Sequence, residues 1–286
     1  MKSFNYESMG THFEITVWDK IPKSKFDSIK KEIIKQSYEF DNTYSRFKPG
    51  SLVSKISKQR GRIKVPSDFI EMLRLYLDLY EPSEHKLNPL IGSALSDMGY
   101  DADYTLSAKQ KISKVPDLKT VKILSKQSIQ ITTPLLFDFG ALGKGYFVNK
   151  VSEFLKKQNV RRFLVNGSGD IYYQGNTPIK AGLEHPGNST KIIGVVDMKT
   201  GAMCASSTNR RKWRNVHHII DPTTLKPASE IIATWVVCKN AALADALATA
   251  LFFVPPDNFS NYEFEYLLLN REYKVKKSRR FNAVLY

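Results

Sequence analysis

The sequence predicts an α+β fold, with mixed or antiparallel sheets flanked by helices. Segments with strand periodicity and segments with helix periodicity follow one another without strict alternation, which disfavours a doubly wound parallel sheet. The 286 residues are 42% apolar and 25% charged, as is typical of a globular chain with a large buried core. We expect one domain over residues 1–286, because no low-complexity linker and no fixed-period repeat divides the chain.

The spacing of apolar residues predicts the elements in the first half of the chain. Residues 12–18 (HFEITVW) alternate apolar and polar side chains, which predicts a strand. Residues 25–44 and 69–84 carry apolar residues at helical spacing. We expect Pro82 to end the second helix, because proline cannot continue the hydrogen-bond ladder. From there to about residue 126 the pattern is mixed.

Glycines and apolar runs predict the elements in the second half. Residues 128–132 predict a strand, and residues 138–146 (DFGALGKGY) predict a turn that opens a helix. Residues 161–175 predict a hairpin that turns at residues 167–169, since glycines accept positive φ. Three further apolar runs predict two buried strands and a buried helix: residues 193–198, 233–238 and 242–254.

The net charge of +15, from 43 Lys and Arg against 28 Asp and Glu, is the strongest compositional signal. The basic residues are scattered without a nucleic-acid-binding motif or a series of aromatic residues for base stacking. We therefore expect a solvated basic surface and no nucleic-acid partner, with attraction of anionic ligands or a membrane face left open. Two cysteines outside any CxxC pair and five histidines, of which only two are adjacent, disfavour a disulfide framework and a zinc or His-rich metal site.

The N-terminal segment has no apolar core of the kind found in signal peptides. No run of about 18 apolar residues appears elsewhere, so the predicted fold includes no membrane helix. As the sequence stands we expect a cytoplasmic protein, and an extracytoplasmic one if a leader has been removed.

Residues 138–146 place backbone N–H groups and Lys144 at the start of a predicted helix. Unpaired N–H groups, the helix dipole and a lysine all favour an anion there. The glycine spacing matches neither a P-loop nor a dinucleotide-binding fingerprint. The segment therefore indicates either an anion site or a tight turn that only caps a helix.

Asp245 and Thr249 lie four residues apart in an otherwise apolar run, so they share one face of the predicted helix. A carboxylate among alanines and leucines is costly unless it has a partner. Mg²⁺ is one such partner, since it prefers hard oxygen ligands. A hydrogen bond to neighbouring backbone or a lysine is the alternative.

Two further polar motifs each allow a functional and a structural interpretation. His218 lies three residues before Asp221-Pro222, which fits either a general base oriented by a carboxylate or an ordinary turn. Asn166 and Asp170 flank a glycine turn, where they either line a phosphate site or stabilise a hairpin. The hairpin is the preferred interpretation.

Taken in order, motifs along the chain resemble those of the ApbE family, the FAD:protein FMN transferases. The similar segments run nearly end to end: MGTHFEITV, FDNTYSRFKPGSLVSKIS, LNPLIGSALSDMGY, DFGALGKGYFVNKV, VNGSGDI, ASSTNRRKW, HHIIDPTTLKPAS and ADALATAL. Several ordered motifs in one chain are far more specific than any single motif. The resemblance implies an ApbE-like fold, one compact unit of two lobes with the flavin site between them.

The resemblance also implies roles for individual residues. Mg²⁺ would be bound by the side chains of Asp245 and Thr249 and by the backbone carbonyl of Ala141. FAD contacts would come from Met9, Phe47, Lys86, Leu87, Asn88 and Asp138, with Lys144 and Ser207 nominated as phosphate donors. His218 is the implied base or transition-state contact.

The implied activity is Mg²⁺-dependent transfer of FMN from FAD to a Thr or Ser hydroxyl of an acceptor flavoprotein, with release of AMP. FAD is then a substrate and Mg²⁺ the cofactor, and any membrane association would come only through the acceptor. Two alternatives stay open. Attack by water would make the protein an FAD pyrophosphatase, and absence of turnover would make it an FAD-binding protein.

Five positions depart from the family pattern. Asn88 stands where the family has Asp and Phe47 where Tyr is common, so the flavin contacts are expected to differ. Ser168, Thr208 and Leu225 stand where the family has glycines. The implied metal-binding side chains are intact, which favours an active member of the family.

Overall fold

An eight-stranded antiparallel sheet forms the centre of the structure. The computed structural model describes residues 1–209 and 216–286, together with the backbone of residues 212 and 213. The described strands are β1 (Lys2–Ser8), β2 (Thr11–Val17), β3 (Gly61–Lys64), β4 (Lys122–Ser125), β5 (Ser128–Ile131), β6 (Phe163–Asn166), β7 (Ile171–Gln174), β8 (Ile179–His185), β9 (Asn188–Met198), β10 (Gly201–Ser207), β11 (Lys212–Trp213), β12 (Val216–His217), β13 (Ile231–Cys238), β14 (Glu265–Asn270), β15 (Val275–Lys277) and β16 (Ala283–Leu285). The central sheet has the order β1-β2-β6-β7-β10-β13-β14-β15.

Smaller sheets and helices surround the central sheet. The smaller sheets have the orders β16-β9-β8, β3-β5-β4 and β11-β12, and the described strand pairs are antiparallel throughout. The described α-helices are α1 (Lys23–Tyr44), α2 (Leu52–Ile56), α3 (Ser67–Tyr80), α4 (Gly92–Asp97), α5 (Gly143–Lys157) and α6 (Ala241–Ala250). Antiparallel sheets flanked by helices confirm the predicted α+β fold.

Apolar spacing explains the two long helices of the first half. One face of α1 buries Phe26, Ile29 and Ile33, which recur at three- and four-residue intervals. Helix α3 ends at Tyr80, two residues before Pro82. This end is expected because proline disfavours helical backbone at its own position and at the residue before it. Both predicted helices are confirmed.

The predicted hairpin is confirmed as β6 and β7, but its turn differs from the expectation. Positive φ occurs at Ser168 (57°) and Gly169 (105°), not at Gly167. A Cβ on Gly167 would lie 2.9 Å from the Phe13 ring. Gly167 is therefore needed for close packing, while the backbone reversal falls on Ser168 and Gly169.

The remaining predicted elements are present with small differences in their ends. Strands β2, β5, β9 and β13 and helices α5 and α6 coincide with the predicted segments. Among the described residues, no helix combines the length and apolarity required to cross a membrane. The prediction of one domain over residues 1–286 stays a prediction.

Two apolar layers lie on opposite faces of the central sheet. Tyr173 and Trp235 belong to one cluster of buried residues, whereas their strand neighbours Tyr172 and Val236 belong to the other. Successive side chains of a strand point to opposite faces, so the clusters lie on different sides. The larger cluster joins the sheet to the helices, and the smaller one joins it to the sheet of β8, β9 and β16 through residues such as Leu183.

Candidate active site

A cavity of about 560 Å³ lies where the central sheet opens between β7 and β10. Pairing of β7 with β10 ends at Met203, while β10 continues along β13 to Ser207. The wall includes Tyr76 of α3 and Asp245 of α6 from the helical layer, and residues of β8 from the small sheet. The cavity therefore lies between the two layers, at an interruption of the strand pairing.

The structure brings most of the predicted site residues together. All of them except Met9 and Phe47 line this cavity: Lys86, Leu87, Asn88, Asp138, Ala141, Lys144, Ser207, His218, Asp245 and Thr249. They come from segments far apart in the sequence, so their convergence depends on the fold. The roles inferred from the resemblance stay predictions.

Met9 and Phe47 are not among the residues that line the cavity. Met9 has a φ of 53° in the turn between β1 and β2 and packs against the larger core, next to cavity-lining Gly10. The Phe47 ring is stacked on Tyr104, with ring centroids 5.2 Å apart, and the guanidinium of Arg46 lies 4.3 Å from its centroid. Both residues therefore lie beside the cavity wall, since Phe47 also packs against cavity-lining Tyr100, and their predicted FAD contacts stay predictions.

Asp245 lies at the closest approach of α5 and α6. Its side chain is almost fully buried, and its Oδ2 accepts a hydrogen bond from the Gly145 backbone N–H at 2.9 Å. A Cβ on Gly145 would lie 2.2 Å from the carbonyl oxygen of Ala241 and 2.7 Å from the Asp245 Cβ. The backbone hydrogen bond foreseen as the structural alternative is therefore present, on a residue that also lines the cavity.

The donors near Asp245 fit a hard divalent cation. Asp245, Thr249 and Ala141 line the same cavity, and a carboxylate, a hydroxyl and a backbone carbonyl are all oxygen ligands. Within the described part of the chain, no group of three or more His, Cys, Asp or Glu could hold a metal. One carboxylate with neutral oxygens is the kind of set that Mg²⁺ uses when water or phosphate completes its coordination.

Lys144 is held at the cavity wall by a buried carboxylate. Its ammonium forms an ion pair with Oδ2 of Asp170, whose side chain is fully buried. Asp170 Oδ1 has no hydrogen-bond partner among the described residues. The hairpin that carries Asp170 therefore also positions the lysine of the glycine-rich turn. The hairpin interpretation is confirmed, and phosphate binding by this motif stays a prediction.

Asp138 is fixed by Arg46, a residue that the sequence reasoning missed. Arg46 Nε lies 2.6 Å from Asp138 Oδ2, and the Gly140 N–H donates to Asp138 Oδ1 at 2.7 Å. The Arg46 side chain is only 2% exposed and also donates to the Tyr100 carbonyl oxygen at 2.6 Å. The Arg46–Asp138 ion pair therefore fixes the start of the glycine-rich turn to the segment that follows α1.

Lys86 links the segment before α4 to the turn after His218. Lys86 Nζ lies 2.7 Å from Asp221 Oδ2, and Asp221 Oδ1 accepts from the Thr223 N–H at 2.8 Å. Burial opposes ionisation of Asp221, but the hydrogen bonds from Lys86 and Thr223 outweigh it and lower its pKa. The Asp-Pro motif therefore matches the turn interpretation, while His218 lies on the cavity wall.

Tyr76 lines the cavity and is the second residue that sequence reasoning missed. It lies on the apolar face of α3, is 1% exposed, and has its hydroxyl beside the Ala141 backbone. Burial raises the pKa of Tyr76 well above its usual range, and the carboxylates of Asp138 and Asp245 raise it further. The Tyr76 hydroxyl is thus kept neutral, and both carboxylates act on it.

The departures at Asn88 and Thr208 have local explanations. Asn88 Oδ1 accepts from the Leu90 N–H at 2.9 Å, and its Nδ2 donates to the Pro116 carbonyl oxygen at 2.9 Å. An ionised aspartate has no N–H group to donate to the Pro116 carbonyl. Thr208 has no positive φ, so glycine is not required there. Arg210 and Arg211 of the ASSTNRRKW motif lie outside the described residues.

Leu225 stands where the family has glycine, and it destabilises the fold because its φ of 58° lies in the left-handed region. We expect the Leu225→Gly variant to be more stable than Leu225→Ala by about 1 kcal/mol, since both lack the leucine side chain and only glycine is relaxed at that φ. The free energies of unfolding in urea measure the difference. Equal values would show that this φ carries no strain.

Neither cysteine is suited to act as a nucleophile. Cys204 and Cys238 are free thiols. Burial raises the pKa of the Cys204 thiol well above its usual range and, as the main cause, raises that of Cys238 to about 11. Since the thiolate is the reactive form, covalent chemistry on sulfur is disfavoured.

Fold and site define an antiparallel α+β protein with a polar, lysine-bearing cavity between its two layers. Residues 9–264 match the model of the ApbE family. The chain belongs to the ApbE family, which confirms the resemblance found in the sequence.

Relatives and solved structures agree with this assignment. The chain is 25% identical over 203 residues to the FAD:protein FMN transferase of Rhodobacter capsulatus, a match covering 66% of this chain but only 39% of that protein. It is 21% identical to the Vibrio cholerae protein of the same name, over 85% of this chain and 78% of that one. The ApbE protein of Thermotoga maritima has the same fold, with a TM-score of 0.87, 20% identity and coverage of 98% of this chain and 97% of that one.

Proposed function

We propose that the protein is an enzyme that transfers FMN from FAD to a Thr or Ser hydroxyl of an acceptor flavoprotein and releases AMP, with Mg²⁺ as cofactor. The observation that carries the proposal is the convergence of Asp245, Thr249, Ala141 and Lys144 on one cavity. Oxygen ligands for a divalent cation beside a fixed ammonium group suit a diphosphate. The names of the relatives support the flavin as the rest of that substrate.

In this proposal Asp245, Thr249 and the Ala141 carbonyl would hold Mg²⁺. When bound, Mg²⁺ supplies Lewis-acid withdrawal of charge from the diphosphate oxygens. Gly145 fixes the Asp245 carboxylate through its N–H. A fixed ligand needs no reorganisation when the substrate binds, which favours catalysis.

Lys144 and His218 complete the proposed chemistry. Lys144, held by Asp170, faces the diphosphate and offsets its negative charge. The acceptor hydroxyl oxygen bonds to the FMN phosphorus while the bond from that phosphorus to the bridging oxygen breaks, and this oxygen leaves with AMP. The hydroxyl proton passes to His218, the histidine on the cavity wall.

The test is incubation of the protein with FAD, MgCl₂ and an acceptor carrying a Thr or Ser flavinylation site. We expect an FMN adduct on the acceptor by mass spectrometry and an equal amount of AMP by chromatography, both lost when EDTA removes the metal. AMP without adduct would assign the protein as an FAD pyrophosphatase. Tight FAD binding with neither product would assign it as a binding protein.

A further inference from the structure

Strand β8 is both an edge strand and part of the cavity wall. In the sheet of order β16-β9-β8 it pairs with β9 on one side only. Among the described residues, no other strand pairs with it. Its residues that line the cavity are Ile179, Lys180, Ala181, Gly182 and Glu184. An unpaired strand edge thus runs along the proposed active site.

The register shows which backbone groups of β8 point away from β9. The Tyr286 N–H donates to the Ile193 carbonyl oxygen at 3.0 Å, so the Ile193 backbone faces β16. Backbone direction alternates along a strand, so Val196 faces β8, where its partner is Ala181. Lys180 and Gly182, which flank Ala181, therefore direct their N–H and C=O groups outward.

The side chains along this edge leave room for another chain. Gly182 is exposed and has no side chain, while Ala181 and Leu183 point into the smaller core. Lys180 reaches Asp197 only through an exposed contact of 3.3 Å, a type of pair that contributes little. Backbone donors and acceptors are thus the main feature that this edge presents.

We propose that the acceptor protein binds by adding an extended segment to β8, so that its Thr or Ser hydroxyl enters the cavity beside the strand. The proposal rests on the proposed transfer to protein. Alternating N–H and C=O groups at strand spacing are complementary to an extended polypeptide. Because the edge continues into the cavity wall, pairing would carry the bound segment to the diphosphate.

The test compares Lys180→Pro with Lys180→Ala, since both lose the lysine side chain and only proline loses the outward N–H and adds its ring at the edge. We expect kcat/KM for the acceptor to be about tenfold lower in the proline variant, mainly through KM. FAD affinity and AMP release from FAD without acceptor are measured for both variants, and each kcat/KM for the acceptor is divided by that variant's rate of AMP release before the two are compared. Circular dichroism and thermal unfolding verify that both fold.

Two further measurements make each outcome decisive. Two acceptor peptides, one N-methylated at the odd residues and one at the even residues, are tested on the unchanged enzyme. We expect one of them to be a poorer substrate than the other. Equal kcat/KM in the two variants, or equal kcat/KM for the two peptides, would overturn the edge proposal but not the proposed FMN transfer. If no acceptor gains an FMN adduct, the proposed function itself is wrong. If light scattering shows that the parent protein is a dimer and that Lys180→Pro is a monomer, the strand edge serves self-association instead.

Discussion

Asp245→Asn is expected to lower Mg²⁺-dependent release of AMP from FAD about a thousandfold or more. The substitution keeps the size of the side chain and an oxygen that can accept from the Gly145 N–H, but it removes the charge that would hold the cation. Lewis-acid stabilisation is worth several kcal/mol, and each 1.4 kcal/mol is about tenfold in rate. The measurement is the initial rate of AMP release across a range of Mg²⁺ concentrations.

A matched control separates loss of the metal from loss of charge in general. Asp257→Asn removes a carboxylate that is exposed and does not line the cavity, so its rate should stay near that of the parent. Thermal unfolding of Asp245→Asn should show a folded protein. If Asp245→Asn keeps a rate within a few fold of the parent, Asp245 is not a metal ligand and its function is to accept from Gly145.

The local elements could be predicted because their periodicities are long. Helix α1 and strand β2 each repeat one pattern over several residues, and both are present. The short elements α2, β3 and β4 were missed, since four or five residues contain too few repeats to distinguish strand from helix or loop. Their stability comes from tertiary packing, as shown by the fully buried Val53 and Ile56 of α2.

Without the family resemblance, the candidate site could be predicted only where one residue carries its own signal. A carboxylate among alanines identified Asp245, and a lysine in a glycine-rich turn identified Lys144. Arg46 gave no such signal, because its importance lies in a partner 92 residues away. Asp170 was noticed as part of a glycine turn, but its pairing with Lys144, 26 residues away, was not predicted. Tyr76 looked like an ordinary apolar-face residue of α3, and only the fold shows that it lines the cavity and that Asp138 and Asp245 act on its hydroxyl.

Gly145→Ala is expected to destabilise the protein by about 1–3 kcal/mol, the usual cost of inserting a methyl group into a packed core. The new Cβ would lie 2.2 Å from the Ala241 carbonyl oxygen, and backbone on α6 cannot move as a flexible side chain can. Separation of α5 from α6 would also lengthen the hydrogen bond from Gly145 to Asp245. We therefore expect lower stability together with slower AMP release.

Gly143→Ala is the matched control, because it adds the same methyl group two residues earlier in α5. Its Cβ would meet Phe139 at 3.5 Å, which is an ordinary contact. Alanine also has the higher helix propensity, so this variant should be as stable as the parent or slightly more so. Urea denaturation measures both variants. Equal free energies of unfolding would mean that α5 and α6 can separate at little cost. In that case the geometry of Asp245 would depend on the rest of the cavity wall and not on the contact at Gly145.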